Sequence, residues 1–346
     1  MPFEVAKKFI DYMFEGRTDP YSEFYEGKVF GFIIEFIGGE PLLEAPLMEQ
    51  ICDYFESKLA EVPKSPWNLF HIYSISSNGT LYNTKACQHF LKKYDGLISL
   101  GITVDGCKEL HDKCRLFANG SGSYDLAVSA ALDVMKRVGN RSTKLTFSPA
   151  NLDYVFEGFK NMAELGFKDL YGNCVFEDVW NNKEDVIKYY SQLKMLVDWL
   201  LSSGKINDVY IRIFEPSGYN AYKPEDGDRQ WCGTTTNMFA IDYKGDIYSC
   251  LRFMESSLGN DAPPLIIGNV DRGIGTLKSE QEIMELFDNY NKKNIYTDKC
   301  FNCPIESGCS WCAACSYQMT GNLKCRTMTT CEIHKAEYLA TLYLYK

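Results

Sequence analysis

Nine of the chain's fourteen cysteines fall in its last 115 residues, from Cys232 to Cys331, and thiolates grouped in this way are ligands for soft metals. Cys232 is followed by 12 residues and Gly245, then by four residues and Cys250. After a gap of 49 residues comes the burst Cys300-x2-Cys303-x5-Cys309-x2-Cys312-x2-Cys315, and Cys325 and Cys331 close the set. A Cys-x2-Cys pair presents two thiolates on one turn to one metal. Repeating the pair within sixteen residues exceeds the needs of one mononuclear site. A zinc ribbon keeps roughly 12–20 residues between its halves, whereas eight separate Cys303 from Cys312. The spacing predicts a cysteine-ligated iron–sulfur domain, with a zinc-stapled module as the alternative. The remaining five cysteines, Cys52, Cys87, Cys107, Cys114 and Cys174, are expected to be buried small apolar residues.

A second set of candidates sits at the ends of apolar runs. Ile34-Glu35-Phe36-Ile37 leads into Gly38-Gly39-Glu40-Pro41. Without Cβ atoms the backbone can approach a ligand closely, and Glu40 with nearby carbonyls would accept hydrogen bonds from an ammonium group. The plain alternative is a Gly-Gly turn. Ser77-Asn78-Gly79-Thr80 and Thr103-Val104-Asp105-Gly106 follow later runs, as do Ser148 and Asn151. Asn78-Gly79 also reads as a simple turn, and Ser148 or Asn151 as the cap of the next helix. Asn173 and Glu177 end a further run and are lesser candidates.

These residues need a frame. Val5, Phe9, Ile10 and Met13 recur at helical spacing over 4–14, and Pro2 suits a first turn. Residues 30–37 are a short β-branched and aromatic run closed by glycines, and predict a buried strand. Further strands are predicted over 70–76, 97–104, 144–147 and 169–176. Helices are predicted over 47–59, 85–94, 124–138 with Ser123 as N-cap, 152–165 and 183–201. Five strands alternating with helices imply an α/β fold with a parallel sheet, in which chemistry sits at the carboxyl ends of strands. The candidates lie there. A boundary is expected within 215–229, a charged stretch holding Pro216, Gly218, Pro224 and Gly227, giving domains 1–215 and 216–346.

The bulk numbers agree. A chain of 346 residues with 45% hydrophobic and 24% charged residues suits one large barrel plus an appendage. A formal net charge of −10 makes nucleic acid an unsuitable partner. No apolar run is long enough to span a membrane, and Met1-Pro2-Phe3-Glu4 lacks the pattern of a signal peptide. The expectation is a soluble cytoplasmic protein.

The cysteine spacing resembles the SPASM domain of radical S-adenosylmethionine (SAM) enzymes that modify peptides, which holds two auxiliary 4Fe–4S clusters. The resemblance implies a partial (β/α)6 radical-SAM barrel followed by that domain. It implies that Cys232 and Cys250 open the ligand set of the first auxiliary cluster, and that Cys300, Cys303, Cys309 and Cys331 hold the second. The family's next cysteine would fall at Ala313, so Cys312 and Cys315 both remain candidates for the first cluster. Cys325 is a spare thiol or a ligand.

Gly38-Gly39-Glu40-Pro41 resembles the family's GGEP motif, which holds the SAM ammonium. Asn78 falls in the family's next turn. In Thr103-Val104-Asp105-Gly106, His111-Asp112 and Arg115, the resemblance implies that Thr103 bonds SAM. Arg115 would pair with the SAM carboxylate, as a planar guanidinium suits, and His111 would be structural. Ser148 and Asn151 would touch the ribose.

The resemblance covers essentially the whole chain except one part. The family's catalytic cluster is held by Cys-x3-Cys-x2-Cys after the first strand, and this sequence contains no such spacing. The expectation is a chain shortened at its N-terminus, without the first barrel strand. Sulfatase-maturing relatives carry Asp after the Cys250 equivalent, where this chain has Leu251. It is more similar to maturases of ribosomally made peptides that form thioethers at cysteines, as Gly308-Cys309-Ser310-Trp311-Cys312 and the segment from Cys331 to Ala336 support. The implied reaction starts with one-electron cleavage of SAM. The deoxyadenosyl radical then takes a hydrogen from the peptide, and a cysteine sulfur joins the carbon. The implied partners are a precursor peptide and an electron donor such as flavodoxin or ferredoxin. The alternative is a catalytically inactive iron–sulfur or peptide-binding protein.

Overall fold

The computed structural model describes residues 1–15, 31–63, 65–181, 183–227, 232–235, 237–259 and 261–346. Its elements begin α1 (Phe3–Phe14), β1 (Phe32–Phe36), α2 (Ala45–Glu61), β2 (His71–Ser77), α3 (Lys85–Lys93) and β3 (Ile98–Ile102). They continue α4 (Lys108–Cys114), α5 (Tyr124–Val138), β4 (Ser142–Phe147), α6 (Val155–Glu164), β5 (Asp169–Cys174), α7 (Glu184–Ser202) and β6 (Tyr210–Ile211). The cysteine-rich part holds β7 (Ala240–Ile241), β8 (Asp246–Tyr248), α8 (Glu255–Leu258), β9 (Ile266–Asn269), β10 (Gly273–Ile274) and α9 (Lys278–Asp288). Four helices follow: α10 (Lys292–Ile295), α11 (Asp298–Phe301), α12 (Ala313–Thr320) and α13 (Cys331–Leu344).

The chain divides into two units, Met1–Gly101 with Gln230–Asn289, and Ile102–Arg229 with Tyr290–Lys346. In the first, β1 runs parallel to β2 with Phe32 opposite His71, and β3 completes a three-stranded sheet. Phe14, Phe32, Phe55 and Trp67 pack edge-on and stacked behind it. An antiparallel sheet of order β10-β9-β8-β7 carries this unit's share of the cysteine-rich segment. Aliphatic side chains such as Met48, Ile51, Leu59 and Ile75 are buried in this unit together with the aromatic Phe55, Trp67, Tyr73 and Phe90.

In the second unit β4, β5 and β6 form a parallel sheet. Thr143, Leu145 and Phe147 of β4 point inward while Ser142 and Lys144 are exposed, the period-two alternation of a half-buried strand. Phe147, Leu145 and Leu170 pack against Phe159 and Met162 of α6 and Tyr189, Leu193 and Leu196 of α7. Ile333, Ala336 and Ala340 of α13 join the same core. Tyr189 donates to Glu337 at 3.0 Å and Thr341 donates to the carbonyl of Ile213 at 2.9 Å, so α13 is fastened along its length.

The expected helices and strands form within a few residues of their predicted bounds, and α5 matches at both ends. Phe30, and Asp228 and Arg229 of the expected linker, lie outside the described residues. Before residue 216 one α-helix and one strand are additional to the expected set, and two expectations fail. Helix α4 and strand β6 were not predicted: α4 is seven mostly charged residues whose apolar anchor is Leu110, and β6 is two residues long. Ser123 does not cap α5 with its side chain; Asp112 accepts from the Tyr124 N–H at 2.9 Å instead, and Ser123 donates to the carbonyl of Arg115 at 2.9 Å. Cys114, at the end of α4, is exposed, whereas Cys52, Cys87, Cys107 and Cys174 are buried as expected.

Candidate metal centre and strand-end loops

In the first unit the chain leaves β1 through Ile37, Gly38 and Gly39, all exposed, and turns at Glu40. Neither glycine has a left-handed φ, and a Cβ added to either would meet nothing within 4 Å. The fold itself therefore makes no demand for glycine at these positions; close approach of a ligand backbone or head group would.

Glu40 does more than the sequence suggested. One carboxylate oxygen accepts from Leu42 N at 3.0 Å and Ser77 Oγ at 2.8 Å, and the other accepts from Asn78 N at 2.8 Å. Charge-assisted bonds of this kind are the stronger class. Glu40 thus ties the loop after β1 to the loop after β2 and starts the 3-10 turn at Pro41. Asn78 is also committed locally, its Oδ1 accepting from Thr80 N at 2.9 Å. The Asn78-Gly79 turn expected from the sequence is present, with Gly79 at φ +77.

In the second unit Thr103 is half-buried just beyond β3. Asp105, 7% exposed, holds Arg115 through its Nε in an ion pair, while its Oδ1 has no hydrogen-bond partner among the described residues. The guanidinium carries four further N–H donors. His111 is buried, accepts from Asp105 N at 3.2 Å on Nδ1, and donates from Nε2 to Ser123 at 3.1 Å. That pattern fixes one neutral tautomer, and burial lowers its pKa. His111 is a structural strut, as expected. Ser148 and Asn151 cap the turn after β4: Asn151 Oδ1 accepts from Ser148 N at 2.8 Å. Asn173 lies within β5 and Glu177 just past it.

The cysteines of the second unit converge. Cys300, Cys303, Cys309 and Cys331 line one cavity of about 30 Å³, with Lys299, Glu306, Arg326, Met328 and Lys335. Cys300 sits on α11, Cys303 follows it in the next turn, Cys309 follows a 3-10 turn, and Cys331 opens α13. Met328 Sδ lies 3.9 Å from Cys300 and 3.8 Å from Cys331. Cys309 shares its proton with Cys331, which holds Cys331 down to about 6 and pushes Cys309 up.

Glu306 is engaged elsewhere, by Lys292 at 3.0 Å and by Tyr296. The donor set is therefore four sulfurs around a space. Among the described residues no three His, Cys, Asp or Glu side chains close on a single ion; four thiols are the ligand type and number that a 4Fe–4S cluster would need.

Cys312 and Cys315 do not line this cavity. Cys312 precedes α12, and buried Cys315 lies within it, 3.9 Å from Glu177. Cys232 and Cys250 belong to the first unit, both half-buried, and Cys325 is exposed. One participant was missed: Arg326, whose guanidinium reaches Cys309 at 2.8 Å and Cys300 at 3.8 Å. Its only sequence signal is its place beside one cysteine and five residues before another.

Comparison with known proteins gives the same direction. No family model matches the chain. It is 24% identical over 315 residues to the radical SAM cyclopropyl synthase TigE of Paramaledivibacter caminithermalis, across 87% of this chain and 58% of that protein. It is 32% identical over 130 residues to the cysteine-type anaerobic sulfatase-maturating enzyme of Clostridium novyi, across 36% of this chain and 32% of the relative. The chain thus spans well under two thirds of the length of these relatives. In three dimensions it matches native anSMEcpe with bound AdoMet over 100% of this chain and 89% of that one, with a TM-score of 0.69 at 19% identity. The same protein with AdoMet and the Kp18Cys peptide gives 0.67 over 100% and 90%. Among the described residues no helix is long and apolar enough to cross a membrane. The chain has the α/β fold of the radical-SAM enzymes with a cysteine-rich extension, and in sequence it is similar to radical SAM peptide maturases.

Proposed function

We propose that the chain serves radical-SAM-dependent modification of a ribosomally synthesised peptide, and that the bond made is a thioether at cysteine. The observation that carries the reading is the convergence of Cys300, Cys303, Cys309 and Cys331 on one cavity, in a chain similar to radical SAM enzymes. A peptide substrate is supported by the matched structure that holds the Kp18Cys peptide. Leu251, in place of the family's Asp, favours a thioether-forming maturase over a sulfatase-maturing one.

In this reading residues 1–215 are a partial radical-SAM barrel and 216–346 the SPASM segment. By resemblance the residues that would bind SAM are Gly38, Gly39, Glu40, Pro41, Asn78, Thr103, Arg115, Ser148 and Asn151. Within the first unit the glycines leave room and Glu40 holds two loops in register, and within the second Asp105 holds Arg115. Cys300, Cys303, Cys309 and Cys331 would hold one auxiliary 4Fe–4S cluster, and by resemblance Cys232, Cys250 and one of Cys312 and Cys315 are ligands of another. When bound, SAM and the clusters supply the one-electron chemistry; the chain supplies binding and orientation. An electron donor such as flavodoxin or ferredoxin and a cytoplasmic setting go with this reading.

The second reading is a catalytically inactive iron–sulfur or peptide-binding protein; the given sequence holds no Cys-x3-Cys-x2-Cys. One experiment separates them. The chain is reconstituted anaerobically with iron and sulfide, then given SAM, dithionite and a cysteine-containing precursor peptide. Deoxyadenosine together with a peptide lighter by two hydrogens supports the maturase. Iron-loaded protein with neither product supports the second reading. A colourless zinc protein overturns both.

A further inference from the structure

Arg326 lies among the sulfurs rather than at the surface. One terminal nitrogen is 2.8 Å from Cys309 Sγ, and the other is 3.8 Å from Cys300 Sγ. The guanidinium lies beside a pair of aromatic rings in edge contact with each other, 4.4 Å from the centroid of Trp311 and 5.0 Å from that of Tyr296. Its Nε is buried without a partner among the described residues. The one carboxylate lining the cavity, Glu306, is held by Lys292 and Tyr296. Cation–π contact with the two rings holds the guanidinium in the cavity wall, and its terminal N–H groups reach sulfur.

From this geometry we infer that Arg326 tunes the reduction potential of the cluster held by Cys300, Cys303, Cys309 and Cys331. The inference rests on reading that cavity as a cluster site. When such a cluster takes up one electron its net charge becomes more negative by one. A fixed positive charge and N–H···S bonds stabilise that reduced form more than the oxidised one. Arg326 therefore raises the potential, making this centre easier to reduce than it would be without the guanidinium and fitting it to take an electron rather than only to brace the fold. It is a positioning residue, acting through the two thiolates it touches.

The test uses the whole chain, reconstituted with iron and sulfide, as wild type, Arg326→Lys and Arg326→Gln. Iron and sulfide are counted first, and the potential is then read by titration followed by electron paramagnetic resonance. The signal belonging to this site is the one missing from a Cys300→Ala, Cys309→Ala double variant. The expected result is a shift to more negative potential in Arg326→Gln, a smaller shift in Arg326→Lys, and an unmoved signal from any other cluster. Equal potentials at full iron content would overturn the inference. So would loss of the site's iron in both variants, which would make Arg326 a structural tie. A wild-type chain that takes up no iron would overturn the cluster site itself and the inference with it.

Discussion

Two glycine-bearing strand ends look alike in sequence and differ in what they are for. After β1 the chain carries Gly38-Gly39, and a Cβ at either position would stand in open space. After β3 it carries Gly106, at φ +76, where a Cβ would come within 2.7 Å of Gly158 Cα and 3.2 Å of Leu145. The second glycine is demanded by the fold: a left-handed residue without a Cβ lets the loop before α4 press against Gly158 of α6. The first is not demanded by packing; under the proposed function it leaves room for SAM. On that reading the same composition signal means packing in one place and approach in the other.

Mutations can break or sharpen that contrast. The largest loss of stability is expected for Gly106→Ala, roughly 2–5 kcal/mol from left-handed strain plus overpacking, read as a fall in the denaturation midpoint. Glu40→Ala comes next. It removes a carboxylate that accepts three hydrogen bonds and should cost about 1.5–3 kcal/mol, with Glu40→Gln recovering part.

A pH effect follows from His334. Burial opposes its charge, but Glu337 at 2.9 Å and the carbonyl of Ser310 outweigh burial and raise its pKa. A raised value means the pair's contribution is complete below the ordinary histidine range and fades as pH climbs through the raised value. Melting temperature should thus decline on the alkaline side, and His334→Gln should flatten that decline. The smallest change in stability, within about 0.5 kcal/mol, is expected for Gly38→Ala. Equilibrium dialysis should nevertheless show SAM affinity falling in that variant. Unchanged affinity would place Gly38 with ordinary turn residues and dissolve the contrast.

Most of the frame was legible because periodicity is a local signal. Val134, Ala131, Ala127 and their neighbours mark α5 without help from the rest of the chain. The capping of that helix was not legible, because Ser123 and Asp112 both lie within reach of its first turn and only the packed structure decides between them. Cys114 was misplaced since a lone cysteine carries no spacing to say which helix face it takes. The cysteine spacing pointed to the thiol cavity but not to its electrostatics. Arg326, Trp311 and Tyr296 are separated by 15 residues at each step and meet only when the loops between α10 and α13 fold back.

Helix α13 has Cys331 as its first residue, while Glu337 and Thr341 further along are bonded to Tyr189 of α7 and to the carbonyl of Ile213. A group that binds the thiols therefore pulls on a rod whose shank is set in the core of the second unit. Ligand binding of this kind adds to folding free energy by mass action. Were that group the proposed iron–sulfur cluster, iron supply would govern the lifetime of the protein: starved of iron, this unit would spend more time open and be cleared sooner by proteases.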